Sequence, residues 1–524
     1  MWRFILLLFF IPVWTQAQQS VALIPAPAAC VVNEGVCYLN RIVTVYAEDV
    51  FVQEIYFLQT ELLRHKQLVI NTTSRAEDAN ILFLKSDSSC PSSYKLTVEK
   101  KQVVVTASSA QGAFYGAITL LQLVNSATTI NHRLSIPCLE ISDAPKYAWR
   151  GVMLDESRHF FGKEKVKQIL DWMAYYKLNK FHWHLTDEPA WRLEIAKYPR
   201  LGSVGGIGSY TDPLSPSRFY SHDDVRELVK YARMRHIEVI PEIDMPGHAS
   251  AANRAYPEFS GGGSAKHPDF TFNPGKEDTY QYLTDILKET DVLFPSSMIH
   301  IGGDEVSFGN QMWNQDAGVK QLMATHKLKD LKAVENYFMR RMADSLMALN
   351  NQVLVWDEMA DAGLPRDKSI IFWWRHDQVN QLKLALDQGH RTVLCPRLPF
   401  YFDFVQDESH RYGRRWSGNK FNSLKDVFQF SMDSLSLTDR QKSLVLGFQA
   451  NIWTETINNE ARLDYLMFPR MAALAESVWL GGQVGGYDDF MSRMNAHFDL
   501  YRKQKVCFFN PLKPLETQEP TLIK

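Results

Sequence analysis

The sequence predicts an α/β protein: a (β/α)8 barrel that carries the chemistry, preceded by a small α+β domain. Three observations predict it. After Asp143-Ala144-Pro145, short apolar runs alternate with amphipathic helical stretches eight times over roughly 340 residues, a length that suits one such barrel. Charged and aromatic residues stand at or just past the C-terminal end of each run, where a barrel keeps its active site. No glycine-rich phosphate loop follows the first run, which weakens the rival open, doubly wound sheet.

In chain order, residues 1–17 read as a secretory leader. Arg3 supplies the positive charge, residues 4–13 the apolar core, and Thr15-Gln16-Ala17 a small-residue cleavage site. Residues 18–145 hold β-rich segments at 42–46, 81–84, 94–98 and 103–106, followed by a helical stretch at 111–124. No cluster of catalytic residue types falls there, so this domain reads as structural. The barrel occupies 146–485, with strands expected at 151–154, 180–185, 238–243, 298–301, 352–356, 370–374, 392–395 and 446–453. Between them Val166, Ile169, Leu170 and Met173 recur at helical spacing, as do Val225, Leu228, Val229 and Ala232 behind a capping Ser221. Residues 486–524 are left as a C-terminal helix and tail.

Composition narrows the function classes. The 524-residue chain is 45% hydrophobic and 22% charged, ordinary for a soluble globular protein, and its formal net charge is −2. That balance points away from nucleic acid and anionic membranes as partners. Past the leader no apolar stretch is long enough to span a bilayer, so an exported protein, periplasmic or secreted, is expected. Oligomeric state leaves no mark in the chain. The six cysteines lack metal-site spacing; Cys30 and Cys37 are near enough in sequence to close a small disulfide loop. The 13 Trp, 21 Tyr and 30 Phe exceed what stacking platforms need, so most must be core and a minority can face sugar rings.

The run His300-Ile301-Gly302-Gly303-Asp304-Glu305 says most about chemistry. Neighbouring side chains on a strand point to opposite faces, so Asp304 and Glu305 can share a cavity only where the strand breaks. The two glycines permit that break. Two carboxyls held close in a partly dry pocket cannot both ionise cheaply, and an acid beside an anion is the equipment for cleaving a glycosidic bond.

Other strand ends converge on the same rim. Asp155 and Arg158 follow strand one, His184 and Asp187 strand two, and Asp244 and His248 strand three. Trp356-Asp357-Glu358 end strand five, Trp374-Arg375 strand six; Tyr401 and Asp403 follow strand seven, and Trp453 and Glu455 strand eight. The guanidinium of Arg158 offers a fixed fork for two adjacent hydroxyls. Trp356, Trp374, Trp453 and Tyr401 can wall a tight apolar pocket that suits an acetamide methyl, with Glu455 and Asp403 accepting from ring hydroxyls. His182-Trp183-His184 raises a rival: an H-x-H on an early barrel strand, completed by His248, His300 and Asp304 or Asp357, is the ligand pattern of metal-dependent hydrolases. Buried histidines bonded to carboxylates are commoner than ligands. We therefore expect no metal or other cofactor, with His184, His248 and Asp187 bracing Glu305 from behind.

With these motifs in order, the chain resembles glycoside hydrolase family 20, the β-N-acetylhexosaminidases. The likeness runs from about residue 22 to 479 and rests on Gly151-Val152-Met153-Leu154-Asp155-Glu156-Ser157-Arg158-His159-Phe160, Phe181-His182-Trp183-His184-Leu185-Thr186-Asp187 and Glu242-Ile243-Asp244-Met245-Pro246-Gly247-His248. It continues through the acid-pair run, Trp356-Asp357-Glu358 and Gln449-Ala450-Asn451-Ile452-Trp453-Thr454-Glu455. The resemblance implies an exo-acting, retaining enzyme on glycans ending in N-acetylhexosamine, in which the substrate's own acetamide attacks C1 and no enzyme nucleophile is needed. It implies that Asp304 orients the acetamide, Glu305 is acid then base, Tyr401 donates to the acetamido oxygen, and Arg158, Asp403 and Glu455 hold hydroxyls. One departure stands out: Glu188-Pro189-Ala190 replaces the usual acid-Gln-small run before Trp191-Arg192. A conventional two-carboxylate retaining glycosidase remains the other alternative.

Overall fold

The computed structural model describes residues 21–418, 420–482 and 485–522. The leader expected at residues 1–17 lies outside the described residues.

The N-terminal domain is a mixed eight-stranded sheet. Seven strands run, edge to edge, Ala29–Leu39, Arg133–Asp143, Tyr94–Val98, Val103–Ala107, Ile81–Lys85, Ile42–Ala47 and Val69–Thr72, and Thr128–Ile130 pairs with Arg133–Asp143. Two helices, Val52–Lys66 and Ala110–Ser126, pack on one another. The second is apolar on nearly every side, which only burial between two layers can satisfy. It lies between its own sheet and the barrel, where Gln122 Nε2 donates to Tyr175 O at 2.7 Å. Asp143 closes the junction, accepting from Tyr94 Oη at 2.7 Å, Trp479 Nε1 at 2.8 Å and Lys177 Nζ at 3.2 Å.

The small disulfide loop is corrected here. Cys30 and Cys37 lie on one strand, Ala29–Leu39, and all six cysteines carry free thiols. The partners of Cys30 and Cys37 on the neighbouring strand, Ile141 and Ile136, stand five residues apart, which puts the two cysteines about 17 Å from each other, far beyond the reach of one disulfide. Sequence proximity misleads there because the segment is a strand and not a turn.

Eight parallel strands close the barrel: Trp149–Asp155, Lys180–His184, Glu238–Met245, Met298–Gly302, Gln352–Trp356, Ser369–Trp373, Arg391–Leu394 and Val445–Ile452. Each begins and ends within two residues of its expected bounds. Val166, Ile169, Leu170 and Met173 are buried on the helix Lys163–Tyr175. Ser221 caps His222–Arg233 through a capping box with Asp224, and Val225, Leu228 and Ala232 face inward. The helix Gly486–Lys503 follows the barrel. Among the described residues no helix is long and apolar enough to cross a membrane.

Candidate active site

Strand register builds the floor of the site. His184 pairs with Asp155 on one neighbouring strand and with Glu242 on the other, and Glu242 pairs with His300 on the next. Residues in register on adjacent strands present their side chains to the same face, and all four are buried. Glu242 is the hub. Its Oε2 accepts from His184 Nδ1 at 2.6 Å and lies 2.9 Å from His182 Nε2. Its Oε1 accepts from Trp356 Nε1 at 2.9 Å and lies 2.9 Å from His300 Nδ1. Burial works to raise the Glu242 carboxyl, but the surrounding imidazoles outweigh it and hold the group well below the usual carboxylate range.

His184 Nε2 reaches Asp187 Oδ2 at 2.8 Å, and Asp187 Oδ1 lies 3.0 Å from His248 Nδ1. Asp187 also takes Arg158 Nη1 at 2.6 Å. Burial disfavours charge on His184 and on His248, yet the flanking carboxylates push both imidazoles well above their ordinary value. Both therefore stand as imidazolium. His248 Nε2 then sits 3.5 Å from Asp304 Oδ2 and 3.6 Å from Glu305 Oε2. A hydrogen-bonded chain thus runs from Glu242 through His184 and Asp187 to His248, whose Nε2 faces the acid pair at ion-pair distance.

The acid pair is placed by the turn foreseen at the strand end. Gly302 (φ 67°), Gly303 (φ 95°) and Glu305 (φ 53°) all adopt left-handed backbone, so consecutive side chains no longer alternate. A Cβ on Gly302 would lie 1.7 Å from Asp244 Oδ1. Burial, with Glu358, Glu305 and Glu242 nearby, pushes the Asp304 carboxyl up to about 7. Burial also acts to raise Glu305, but His248 and Arg158 overcome it and leave the group below its ordinary value. The ligand-free pair thus holds its proton on Asp304, whereas the role expected for Glu305 requires the proton there.

Arg158, His248, Asp304, Glu305, Trp356, Trp374, Tyr401, Trp453 and Glu455 surround one cavity of about 180 Å³. Trp374 stacks on Tyr401 with centroids 6.2 Å apart and planes 13° apart, and Trp453 lies 6.1 Å from Trp356 and 6.2 Å from Tyr401. Trp374 Nε1 donates to Glu358 Oε2 at 3.0 Å, fixing that wall. Among the described residues several buried polar atoms of this region have no hydrogen-bond partner: Asp304 Oδ1, Trp453 Nε1, Glu455 Oε2 and both oxygens of Asp403. Buried polar atoms rarely stay unpaired, so this cluster marks where a polar ligand completes the site.

Three expected residues stand behind the cavity. His184 and Asp187 brace it, as described. Asp403 is fully buried, with Arg414 Nη1 3.5 Å from its Oδ2. Arg414, Arg397 and Phe404 line the cavity and were missed, because they come from the loop after strand seven at no periodic spacing. Glu242 and Glu358 were missed in another way: they stood inside quoted motifs, but only strand packing reveals their partners. Glu188, the departure noted above, accepts from His267 at 3.0 Å on the rim.

Ligand atoms of His182, Glu242 and His300 lie within 4.8 Å of one another, as do those of His248, Asp304 and Glu305. The ring nitrogens are, however, already matched to carboxylates: His182 Nε2 and His300 Nδ1 each lie 2.9 Å from a Glu242 oxygen, His248 Nδ1 lies 3.0 Å from Asp187, and His184 bonds both Glu242 and Asp187.

Carboxylates on one wall and indoles on the others, around room for a single sugar ring, are the site architecture of barrel glycoside hydrolases. The comparisons agree: the description "Glycosyl hydrolase family 20, catalytic domain" matches residues 147–481, and "domain 2" of that family matches residues 20–144. The chain belongs to glycosyl hydrolase family 20. It is 33% identical over 431 residues to a β-hexosaminidase of Porphyromonas gingivalis, covering 79% of this chain and 55% of that protein. It is 34% identical over 403 residues to a β-hexosaminidase of Vibrio furnissii, covering 73% of this chain and 64% of the relative. The chain thus spans little more than half to two thirds of those relatives' length. The exo β-N-acetylglucosaminidase of Vibrio harveyi, solved in complex with N-acetylglucosamine, superposes with a TM-score of 0.86 at 30% identity, over 94% of this chain and 78% of that one.

Proposed function

We propose that the protein is an exo-acting β-N-acetylhexosaminidase, releasing terminal β-linked N-acetylglucosamine or N-acetylgalactosamine from glycans without a metal. The observation that carries the reading is the cavity of about 180 Å³ in which Asp304 and Glu305 face three indoles and a phenol. An acetamido methyl fits among such rings, and the volume suits one sugar.

In the proposed reaction the acetamide oxygen of the bound sugar attacks its own C1 as the bond from C1 to the leaving oxygen breaks. Glu305 gives that oxygen a proton. Asp304, as carboxylate, accepts from the acetamido N–H and balances the positive charge of the oxazolinium. Water, deprotonated by Glu305, then adds to C1 and reopens the ring, with net retention. Holding the amide in line gives the intramolecular attack a large effective concentration, and Trp356, Trp374, Trp453 and Tyr401 do the holding. Arg158 and Glu455 bind ring hydroxyls, with Asp403 at the same end.

The resting protonation fits once substrate is considered. An amide N–H donating to Asp304 favours its ionised form, while an aglycone covering Glu305 disfavours charge there. The single proton of the pair then passes from Asp304 to Glu305 on binding. Support for work outside the cytoplasm, periplasmic or secreted, comes from the apolar stretch at residues 4–13 with Arg3 before it.

The test is hydrolysis of paired chromogenic β-glycosides with and without the 2-acetamido group. Rapid release only from the acetamido member is expected; equal rates on both would sink the reading.

A further inference from the structure

Arg414 stands where neither strand periodicity nor the barrel rim places a residue. Its Nη2 donates to Glu455 Oε1 at 2.6 Å, and its Nη1 lies 3.5 Å from Asp403 Oδ2, with Asp403 fully buried beneath it. The guanidinium therefore spans two acids and still lines the cavity. A guanidinium presents five N–H donors in a planar fork, so two acids do not exhaust it.

The main chain at Arg414 is pinned on several sides. Val405 N donates to Arg414 O at 3.0 Å, and two residues on, the Trp416 ring stacks on Phe404 at 4.2 Å. Trp416 Nε1 also donates to Asn422 Oδ1 at 2.6 Å. From the C-terminal tail, Glu519 accepts from Arg411 N at 2.5 Å, Tyr412 N at 3.2 Å and Arg462 Nη1 at 3.1 Å. Such bracing is what a residue needs to hold a fixed direction in a site.

We propose that Arg414 is a substrate-binding residue that sets specificity at the non-reducing end, donating to the ring hydroxyls farthest from the scissile bond. The inference rests on the hexosaminidase reading. With Asp304 and Glu305 taking C1 and the acetamide at C2, the hydroxyls left for the opposite end of a pyranose are those on C4 and C6. Among the described residues Glu455 Oε2 and both Asp403 oxygens have no hydrogen-bond partner there, so acceptors and donors alternate around one spot, matching hydroxyls that give and take hydrogen bonds. Arg414 also keeps that end charge-balanced: burial drives Asp403 up to about 7, with Arg414 and Arg470 opposing and Glu455 reinforcing the rise.

The experiment measures kcat and KM for the chromogenic N-acetylglucosaminide and its 4-deoxy and 6-deoxy analogues, using wild-type protein, Arg414→Ala and Arg414→Lys. We expect Arg414→Ala to lose about 10–100-fold in kcat/KM on the parent glycoside, mostly in KM. We also expect at least one deoxy analogue, penalised about 10-fold or more by the wild type, to carry little further penalty in Arg414→Ala. Arg414→Lys should recover part of the loss, and Glu519→Ala should raise KM in the same direction. Deoxy penalties as large in Arg414→Ala as in wild type overturn the assignment, as does an equal loss for parent and analogues with KM unmoved and a lowered melting temperature. Failure of the wild type to cleave the parent glycoside overturns the hexosaminidase reading itself, which keeps the two failures distinct.

Discussion

Glu242 accepts a hydrogen bond of 2.6 Å from the imidazolium of His184, and its other oxygen accepts from the indole of Trp356 at 2.9 Å. One buried carboxylate thus ties the charge network under the acid pair to a wall of the sugar cavity. Glu242→Gln should therefore damage both: breaking a buried ion pair by removing one partner costs about 3–5 kcal/mol, and Trp356 loses its charged acceptor. The folded carboxyl titrates below its unfolded value, so its stabilisation is full above about pH 4.3 and fades as pH falls further. Denaturant unfolding should show a wide gap between wild type and variant at pH 7 that narrows below pH 4.

Glu305→Gln removes the proton donor and leaves the cavity walls in place. Glycosides with poor leaving groups should lose about 100–10,000-fold in kcat, the usual contribution of a general acid. Binding of free N-acetylglucosamine, followed by calorimetry, should change little. Near-normal turnover of a natural disaccharide by this variant would exclude the role assigned to Glu305.

The proton shared by the acid pair predicts the basic side of the pH profile. Asp304 is raised to about 7 while Glu305 lies below its ordinary value, so between the two the pair holds one proton. Above about 7 that proton is lost and no acid remains, and kcat/KM should fall there. Asp304→Asn removes the neighbouring negative charge, leaving Glu305 alone under the pull of His248 and Arg158. Residual activity should then be lost at a lower pH than in wild type, and a basic limb that stays near 7 would contradict the shared proton.

Gly302→Ala tests the turn. The position has φ 67° and its added methyl meets Asp244 Oδ1 at 1.7 Å, so backbone strain of about 1–3 kcal/mol is joined by displacement of a buried acid. Gly363→Ala, also left-handed at φ 76° but 4.0 Å from its nearest neighbour, serves as the control. The first variant should melt lower and lose activity; the second should show the strain alone.

Hydrogen bonding of the histidines to carboxylates predicts insensitivity to chelators. Dialysis against EDTA should leave the rate unchanged, added zinc should not raise it, and elemental analysis should find no stoichiometric metal. A rate abolished by EDTA and restored by zinc would revive the reading built on His182 and His184.

The barrel was legible because its signals are local. Eight apolar runs at intervals, with helical periodicity between them, need no knowledge of distant residues, and their bounds held to within two residues. The N-terminal sheet was legible only in part. Ala29–Leu39 and Arg133–Asp143 are 11 residues each, yet exposed and polar positions interrupt their apolar pattern. The strands become evident only when paired with one another across the intervening chain.

The same division runs through the site. Gly302-Gly303-Asp304-Glu305 announces a turn with two acids from its own chemistry, since glycine reaches left-handed backbone without strain. Which acid keeps the resting proton depends on burial, on His248 and Arg158 beside Glu305, and on Glu358 near Asp304, groups brought from three other strand ends. Likewise Glu242 becomes a hub only through register across three strands, and Arg414 meets Glu455 only because a long loop folds back over the rim. Residue type and spacing determined the barrel, the acid pair and the ring of aromatics. Proton location, charge pairing and the far end of the pocket were decided by tertiary packing, because electrostatic energy depends on distances and burial that no stretch of sequence contains.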